Sequence, residues 1–188
     1  AIGARTTESQ IHRQMASGLS MPIGFKNATD GNLNVALDAI KAASNPHSFL
    51  GIDRNGKVII ADTKGNRYGH LVLRGGTSGP NYASEYVAFA EILLQKQHVH
   101  NGMIIDCSHA NSHKNHKRQR EVLFDIADQI NAGNSSIAGV MLESFITEGR
   151  QSISSPGGMK YGVSLTDACI GWDETEELIR YLAGTVNL

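Results

Sequence analysis

Three positively charged residues occur where short apolar segments of this sequence end: Arg5, Lys26 and Arg74. Guanidinium groups bind phosphate and carboxylate through paired hydrogen bonds, and a lysine adds a point charge. The Gly75-Gly76 pair after Arg74 predicts backbone N–H groups that can approach an anion closely. Together these residues predict a site for a small, multiply anionic substrate. The alternative is that each cation forms an ordinary surface ion pair.

A second group combines one imidazole with two carboxylates. His109 follows one predicted strand, Glu143 ends the next, and Asp167 lies in the loop beyond it. This set of donor atoms suits a divalent transition metal such as Mn²⁺, Fe²⁺ or Zn²⁺. Hydrogen-bonded structural roles are the alternative for the same side chains. The sequence has no H-E-x-x-H motif, which excludes a zincin arrangement.

Three further features have simpler interpretations. Lys26 could form a Schiff base, as strand lysines of some aldolases do, but the neighbouring arginines favour anion binding. The basic segment 114–120 opens an amphipathic helix and is expected to face solvent. Cys107 directly follows Asp106 on a predicted strand, so its side chain points to the opposite face and is expected to be a buried thiol.

Short apolar segments alternate with longer amphipathic ones along the chain. The predicted strands are 22–26, 48–52, 70–74, 103–106 and 138–143, and the predicted helices are 8–18, 32–43, 82–97, 116–132 and 174–183. This alternation predicts parallel strands, either in an open doubly wound sheet or in a closed α/β barrel. Four strands end in a charged residue, and the strands of a barrel converge on one mouth, which favours the barrel. An open sheet usually carries a glycine-rich phosphate loop after its first strand, and none occurs there.

The length of the chain is short for a complete barrel. A (β/α)₈ TIM barrel has eight strands and typically about 250 residues, whereas this sequence has 188 residues and five predicted strands, with a stub at 1–4. The turn-forming segment 53–57 also predicts a β-hairpin insertion, assigned to 53–67. We therefore expect residues 1–188 to form one domain, the C-terminal part of a TIM barrel whose N-terminal strands are missing from this chain.

The composition is that of a globular protein and excludes several classes of partner. Hydrophobic residues make up 40% of the chain and charged residues 19%, and the formal net charge is −1. These values exclude a disordered chain and give no electrostatic reason to expect nucleic acid or a membrane as partner. Two cysteines and no signal peptide predict a cytoplasmic protein.

Six segments closely resemble the type I class of 3-deoxy-D-arabino-heptulosonate 7-phosphate (DAHP) synthases. They are Gly-Ala-Arg-Thr-Thr-Glu-Ser at 3–9, Gly-Phe-Lys-Asn at 24–27, Leu-Arg-Gly-Gly at 73–76, Asp-Cys-Ser-His-Ala-Asn at 106–111, Glu-Ser at 143–144 and Thr-Asp-Ala-Cys-Ile-Gly-Trp at 166–172. The resemblance implies a (β/α)₈ barrel that condenses phosphoenolpyruvate with erythrose 4-phosphate and releases phosphate. This reaction is the first step of the shikimate pathway of aromatic amino acid biosynthesis.

The resemblance also implies a role for each residue of the anionic site. Arg5, Arg74 and the backbone N–H of Ala4 would hold the phosphate of phosphoenolpyruvate. Lys26 would face the carboxylate of this substrate and its reacting carbons.

The same resemblance implies three of the four ligands of one divalent metal ion (Mn²⁺, Fe²⁺, Co²⁺ or Zn²⁺): His109, Glu143 and Asp167. The metal would polarise the aldehyde oxygen of erythrose 4-phosphate. The catalytic residues would then be Lys26, His109 and Asp167.

Two features of the family have no counterpart in this sequence. These are the cysteine that supplies the fourth metal ligand and the Lys-Pro-Arg-Thr segment that holds erythrose 4-phosphate. We therefore expect this chain alone to be inactive. Two alternatives stay open: an enzyme similar to 3-deoxy-octulosonate 8-phosphate synthase, and a non-catalytic fragment that binds phosphoenolpyruvate. The 166–172 segment and the hairpin favour the heptulosonate enzyme.

Feedback regulation is a further implication of the resemblance. Ser20, Phe49 and Gly51 match positions that line the family's site for an aromatic amino acid. Phenylalanine-sensitive members tend to have serine where this chain has Gly51, so tyrosine is the favoured effector. The intact enzyme is expected to be a homo-oligomer.

Overall fold

The computed structural model describes residues 1–153 and 156–185, which form five α-helices and eight β-strands. The helices are α1 (Gln10–Ser17), α2 (Asn34–Ala43), α3 (Ser84–Lys96), α4 (Gln119–Asn131) and α5 (Trp172–Thr185). The strands are β1 (Ile23–Lys26), β2 (Ser48–Ile52), β3 (Val58–Asp62), β4 (Gly69–Leu73), β5 (Met103–Asp106), β6 (Ile137–Met141), β7 (Thr147–Arg150) and β8 (Val163–Ser164). The five predicted helices are confirmed, with ends that differ by a few residues.

The main sheet has four strands in the order β1-β4-β5-β6, and all neighbours are parallel. Each parallel connection needs a crossover, and helices provide it, as the alternating sequence pattern predicts. The sheet is extended at both edges by isolated parallel bridges, from Ile2 to Phe25 and from Ser144 to Ile170. The fold is therefore mixed α/β with a parallel sheet. Because the strands are parallel, the carboxyl ends of all four lie at the same end of this sheet.

One face of the sheet packs against helices, and the opposite face carries polar groups at the carboxyl ends of the strands. The strand residues Phe25, Leu71, Leu73, Met103 and Ile105 are fully buried and belong to one core cluster with side chains of α2, α3 and α4. Because successive strand residues point to opposite faces, Lys26 and Asp106 lie on the face away from this core. The strand pattern therefore projects charged groups away from the apolar layer.

The prediction that 48–52 is a barrel strand is wrong. This segment is β2, which pairs with β3 in a separate two-stranded antiparallel sheet, with Leu50 opposite Ile60. A short turn closes the pair, in which the Asp53 side chain accepts hydrogen bonds from the backbone N–H groups of Asn55 and Lys57. A tight turn joins antiparallel strands, so β2 pairs with β3, and neither strand pairs with the main sheet. The hairpin strands thus run over 48–62, and the assigned insertion at 53–67 starts too late.

None of the helices within residues 1–153 and 156–185 is both long enough and apolar enough to cross a bilayer.

Candidate metal and anion site

The carboxyl ends of β1 and β5 are joined by a buried ion pair. Lys26 Nζ lies 2.6 Å from Oδ2 of Asp106, and the Asp106 side chain is fully buried. Burial by itself raises the pKa of the Asp106 carboxyl. The hydrogen bond from His109 and the positive charge of Lys26 outweigh this effect and hold that pKa well below its ordinary value. Asp106 is therefore a permanent negative charge beneath the site.

The same carboxylate orients His109. Nδ1 of the imidazole lies 2.9 Å from Oδ2 of Asp106, which leaves Nε2 directed at Glu143, with 3.7 Å between Nε2 and Oε1. The backbone of His109 has a φ of 54°, in the left-handed region that non-glycine residues seldom adopt. A carboxylate bound to one imidazole nitrogen fixes the tautomer and leaves the other nitrogen to accept a metal. Asp106 therefore presents Nε2 of His109 as a ligand atom.

His109, Glu143 and Asp167 come together as the sequence predicts. Each offers one ligand atom, and these atoms all lie within 4.8 Å of one another. The pKa of Glu143 is raised by burial and by the negative charges of Asp167 and Asp106, while the charge of His109 opposes the shift. A divalent cation between the two carboxylates would remove this repulsion, and one nitrogen with two oxygen donors suits Mn²⁺, Fe²⁺, Co²⁺ or Zn²⁺. The group therefore fits a divalent metal ion.

The three predicted anion-binding cations line one cavity of about 330 Å³. Arg5, Lys26 and Arg74 share its wall with Ala4 and with His109. Burial lowers the pKa of the Arg74 guanidinium; the negative charge of Asp106 opposes this shift, and the positive charge of Arg5 adds to it. Positive charges held this close together favour a ligand with several negative charges.

A second cavity, of about 380 Å³, opens beside the same imidazole. It is lined by His109, Glu143 and Asp167 and by Lys114, His116 and Arg150, among others. His109 therefore borders both cavities. A ligand that contacts His109 from either cavity would lie beside a member of the candidate metal group.

The proposed use of Gly75 and Gly76 for anion binding is wrong. The Gly75 N–H donates to Oδ1 of Asn81 (2.7 Å), and the Gly76 N–H donates to the Gly79 carbonyl (2.9 Å). A Cβ on Gly75 would lie 2.7 Å from Cβ of Ala110, and its φ is 72°. These glycines are required by close packing and by backbone conformation, and neither N–H is available to an anion.

Three buried asparagines, which sequence reasoning missed, connect the strand ends. Asn27 accepts from the Arg74 N–H (2.8 Å) and from the side chain of Asn81 (3.2 Å). The Asn81 N–H donates to Oδ1 of Asn111 (2.8 Å), and Asn111 donates to the Asp106 carbonyl (2.8 Å). The network thus ties together the ends of β1, β4 and β5. Asn27 and Asn111 lie inside the motifs at 24–27 and 106–111. Their positions close to the charged strand-end residues are the signal from which a role at the site could have been predicted.

The remaining sequence predictions have mixed outcomes. Cys107 is fully buried, as predicted, and burial raises the pKa of its thiol. In the basic segment 114–120, Lys117, Arg118 and Arg120 form ion pairs near the surface, as predicted for a face in solvent. Lys114 is also exposed and lines the second cavity. The prediction is wrong for Gln119, which is fully buried.

The three predicted effector positions lie outside the main sheet. Ser20 follows α1, while Phe49 and Gly51 are on β2. The end of α1 contacts the residue after β3, since Ser17 Oγ and Thr63 Oγ1 are 2.7 Å apart. The structure therefore places the segment before Ser20 next to the base of the hairpin.

Comparison with known proteins identifies the family to which this arrangement belongs. The family model described as the DAHP synthetase I family matches residues 1–180. This chain belongs to the DAHP synthetase I family.

Named relatives of this DAHP synthetase I chain are similar over nearly its whole length. The Tyr-sensitive phospho-2-dehydro-3-deoxyheptonate aldolase of Enterobacter agglomerans is 55% identical over 181 residues, which cover 96% of this chain and 84% of the relative. The Trp-sensitive enzyme of Escherichia coli K12 is 51% identical over 187 residues, covering 100% of this chain and 53% of the relative. The solved structure of the Francisella tularensis SCHU S4 aldolase superposes with a TM-score of 0.94 at 48% identity, covering 98% of this chain and 54% of that one. The chain thus spans about half the length of the E. coli enzyme and of the solved structure.

Proposed function

We propose that this chain is part of a DAHP synthase, which condenses phosphoenolpyruvate with erythrose 4-phosphate. In this reaction the methylene carbon of phosphoenolpyruvate bonds to the aldehyde carbon, whose oxygen takes up a proton and becomes a hydroxyl. Water adds to the neighbouring carbon, which bears the phosphate, and loses a proton, and the bond from that carbon to the phosphate oxygen breaks to release inorganic phosphate. The observation that carries the proposal is that His109 borders both cavities. A condensation needs two substrates to meet at one reactive centre, and this arrangement supports such a meeting.

The cation-lined cavity suits phosphoenolpyruvate, which carries a phosphate and a carboxylate. We assign the phosphate to Arg5, Arg74 and the backbone of Ala4, and the carboxylate to Lys26. Lys26 is held 2.6 Å from Asp106, so its ammonium group is fixed in position before the substrate arrives. Fixed cations cost less to organise when the ligand binds than mobile ones.

We assign His109, Glu143 and Asp167 as ligands of one divalent metal ion. Such an ion supplies Lewis acidity toward a carbonyl oxygen. Asp106 keeps the imidazole of His109 in the tautomer that leaves Nε2 open, and Glu143 and Asp167 supply negative charge. These residues, together with Lys26, form the proposed catalytic centre.

The finer features of fold and assembly are part of the same proposal. The four parallel strands, with isolated parallel bridges at both edges, support a (β/α)₈ barrel that other segments complete. We expect the complete enzyme to be a homo-oligomer in the cytoplasm, where its cysteines stay reduced. The missing fourth ligand and erythrose 4-phosphate segment lead us to expect no turnover from residues 1–188 alone.

Turnover by the enzyme expressed from its complete gene tests the proposal. Phosphoenolpyruvate consumption should require both erythrose 4-phosphate and a divalent metal, stop on chelation and return with Mn²⁺. Consumption with arabinose 5-phosphate instead would support the octulosonate alternative, against which the names of the relatives speak. Binding of phosphoenolpyruvate without turnover of either sugar would contradict the proposed activity.

We also propose that tyrosine inhibits the complete enzyme through the region of Ser20, Phe49 and Gly51. The names of relatives include both Tyr-sensitive and Trp-sensitive enzymes, so the effector needs a direct test. A Cβ on Gly51 would lie 3.4 Å from Cβ of Ala61 and 3.8 Å from Cγ1 of Ile59, which is ordinary contact. Gly51→Ser should therefore fold normally and shift inhibition from tyrosine toward phenylalanine. Inhibition of the unchanged enzyme by phenylalanine or tryptophan, and not by tyrosine, would contradict the assignment.

A further inference from the structure

Gln119 is a fully buried polar residue at the start of α4. It lies on the apolar stripe of this helix, together with Val122, Leu123 and Ile126. A buried amide at such a position has both a donor and an acceptor to satisfy. Its partners show what it does.

Both partners of Gln119 are backbone groups of one residue, Glu143. Oε1 of Gln119 accepts from the Glu143 N–H at 2.8 Å, and Nε2 donates to the Glu143 carbonyl at 3.1 Å. A primary amide has the same donor and acceptor as a peptide group, so this pair reproduces the two hydrogen bonds of a neighbouring strand. Gln119 therefore acts as a one-residue continuation of the sheet.

Gln119 takes the place of a neighbouring strand because the pairing of β5 with β6 ends before Glu143. The last backbone hydrogen bond between β5 and β6 runs from the Cys107 N–H to the Met141 carbonyl (2.9 Å). Beyond it, the chain after β5 becomes the loop that carries His109. On the opposite side, the Ile170 N–H donates to the Glu143 carbonyl at 3.0 Å. Without Gln119, the Glu143 N–H would have no partner among the residues that the structure describes.

We infer that Gln119 is a positioning residue that sets the distance between His109 and Glu143 and thereby the affinity of the metal site. Gln119 is the first residue of α4, which follows the loop that carries His109. Its amide therefore links the segment after one proposed ligand, His109, to the backbone of another, Glu143. This inference rests on the proposed metal site. It adds a residue that touches no substrate and none of the ligand atoms.

The test compares Gln119→Met with a matched variant on the same helix, in the enzyme expressed from its complete gene. Methionine keeps the length and apolar character of the side chain and removes both hydrogen bonds. Gln129 is the control, because its amide donates to the Tyr82 carbonyl (2.8 Å) and to Asp125 (2.6 Å), away from the metal group. The measurements are the Mn²⁺ dissociation constant from a titration of free Mn²⁺, and thermal unfolding in the presence of a chelator.

Gln119→Met should raise the Mn²⁺ dissociation constant about 10–100-fold, the usual effect of changing a group that orients a metal ligand. Gln129→Met should change the Mn²⁺ dissociation constant by less than about twofold, even if it lowers thermal stability as much as Gln119→Met does. Raising Mn²⁺ to saturation should restore most of the turnover of Gln119→Met, because no ligand is lost.

Gln119→Leu provides a second variant if the methionine variant does not fold. Its shorter apolar side chain also removes both hydrogen bonds to Glu143, so weaker Mn²⁺ binding is again expected. An unchanged dissociation constant in either folded variant, or an equal change in Gln129→Met, would overturn the role of Gln119. Absence of Mn²⁺ binding by the unchanged enzyme would instead contradict the metal site itself, and with it this inference.

Discussion

The strand-end site and the β2–β3 hairpin are built in opposite ways. At the strand ends, Asp106 and the three asparagines are buried, and each has named hydrogen-bond partners. On the hairpin, one face carries four aliphatic side chains that are 70–77% exposed: Leu50, Ile52, Val58 and Ile60. The site thus buries polar groups, while the hairpin exposes apolar ones.

The two regions also differ in how far apart in sequence their partners are. Lys26 and Asp106 are 80 residues apart, and Asn27 and Asn81 are 54 apart. The hairpin pairs residues across one short turn, such as Ile52 with Val58. A network assembled from distant segments fails as a unit when one member is removed, whereas a local hairpin tolerates substitution on its exposed face. Five substitutions test this difference.

The largest effect is expected for His109→Ala. Loss of this proposed ligand should weaken Mn²⁺ binding and turnover together, by more than the 10–100-fold that changes around a ligand cost. Titration with Mn²⁺ and steady-state phosphoenolpyruvate consumption measure the two effects on the complete enzyme. Normal metal affinity in this variant would remove His109 from the ligand set.

Asp106→Asn should have the next largest effect. The substitution leaves the ammonium group of Lys26 without its carboxylate, and breaking a buried pair in this way costs about 3–5 kcal/mol. It also weakens the hydrogen bond that orients His109, so Mn²⁺ affinity should fall with stability. Denaturant unfolding and Mn²⁺ titration check both changes. A loss of stability with unchanged metal affinity would mean that Asp106 does not orient the imidazole.

Asn81→Ala and Asn55→Ala compare an asparagine of the site with one of the hairpin turn. Asn81 is buried and accepts from the Gly75 N–H, so its loss leaves this backbone N–H unpaired and should cost about 1–3 kcal/mol. Asn55 is exposed, and its replacement should change the free energy of unfolding by less than about 0.5 kcal/mol. Equal losses in denaturant unfolding would contradict the difference between the regions.

Leu50→Ser should leave metal binding unchanged. Leu50 faces Ile60 across the hairpin, and an exposed cross-strand pair contributes about 0.2–1 kcal/mol to stability. Unfolding and Mn²⁺ titration should therefore show a small stability loss and an unchanged dissociation constant. A loss of several kcal/mol would show that another surface covers this face in the complete enzyme.

The sequence alone was enough to predict the groups that bear charge and the strands that carry them. Lys26, Arg74 and Asp106 stand out because each ends an apolar segment, and parallel strands bring such ends together. The prediction for β2 was wrong, because an apolar segment of five residues has the same pattern in a parallel sheet and in a hairpin. It also missed Asn81 and Gln119, because the roles of buried amides depend on backbone groups that only the tertiary structure brings close.

A metal held by His109 should lie beside phosphoenolpyruvate in the cation-lined cavity. Phosphorus-31 NMR relaxation of phosphoenolpyruvate, measured with the complete enzyme and Mn²⁺ but without the sugar phosphate, tests this most directly. We predict faster relaxation than with Mn²⁺ alone, and its loss in His109→Ala and in Arg74→Ala. Unchanged relaxation while Mn²⁺ is bound, or equal enhancement in His109→Ala, would contradict it.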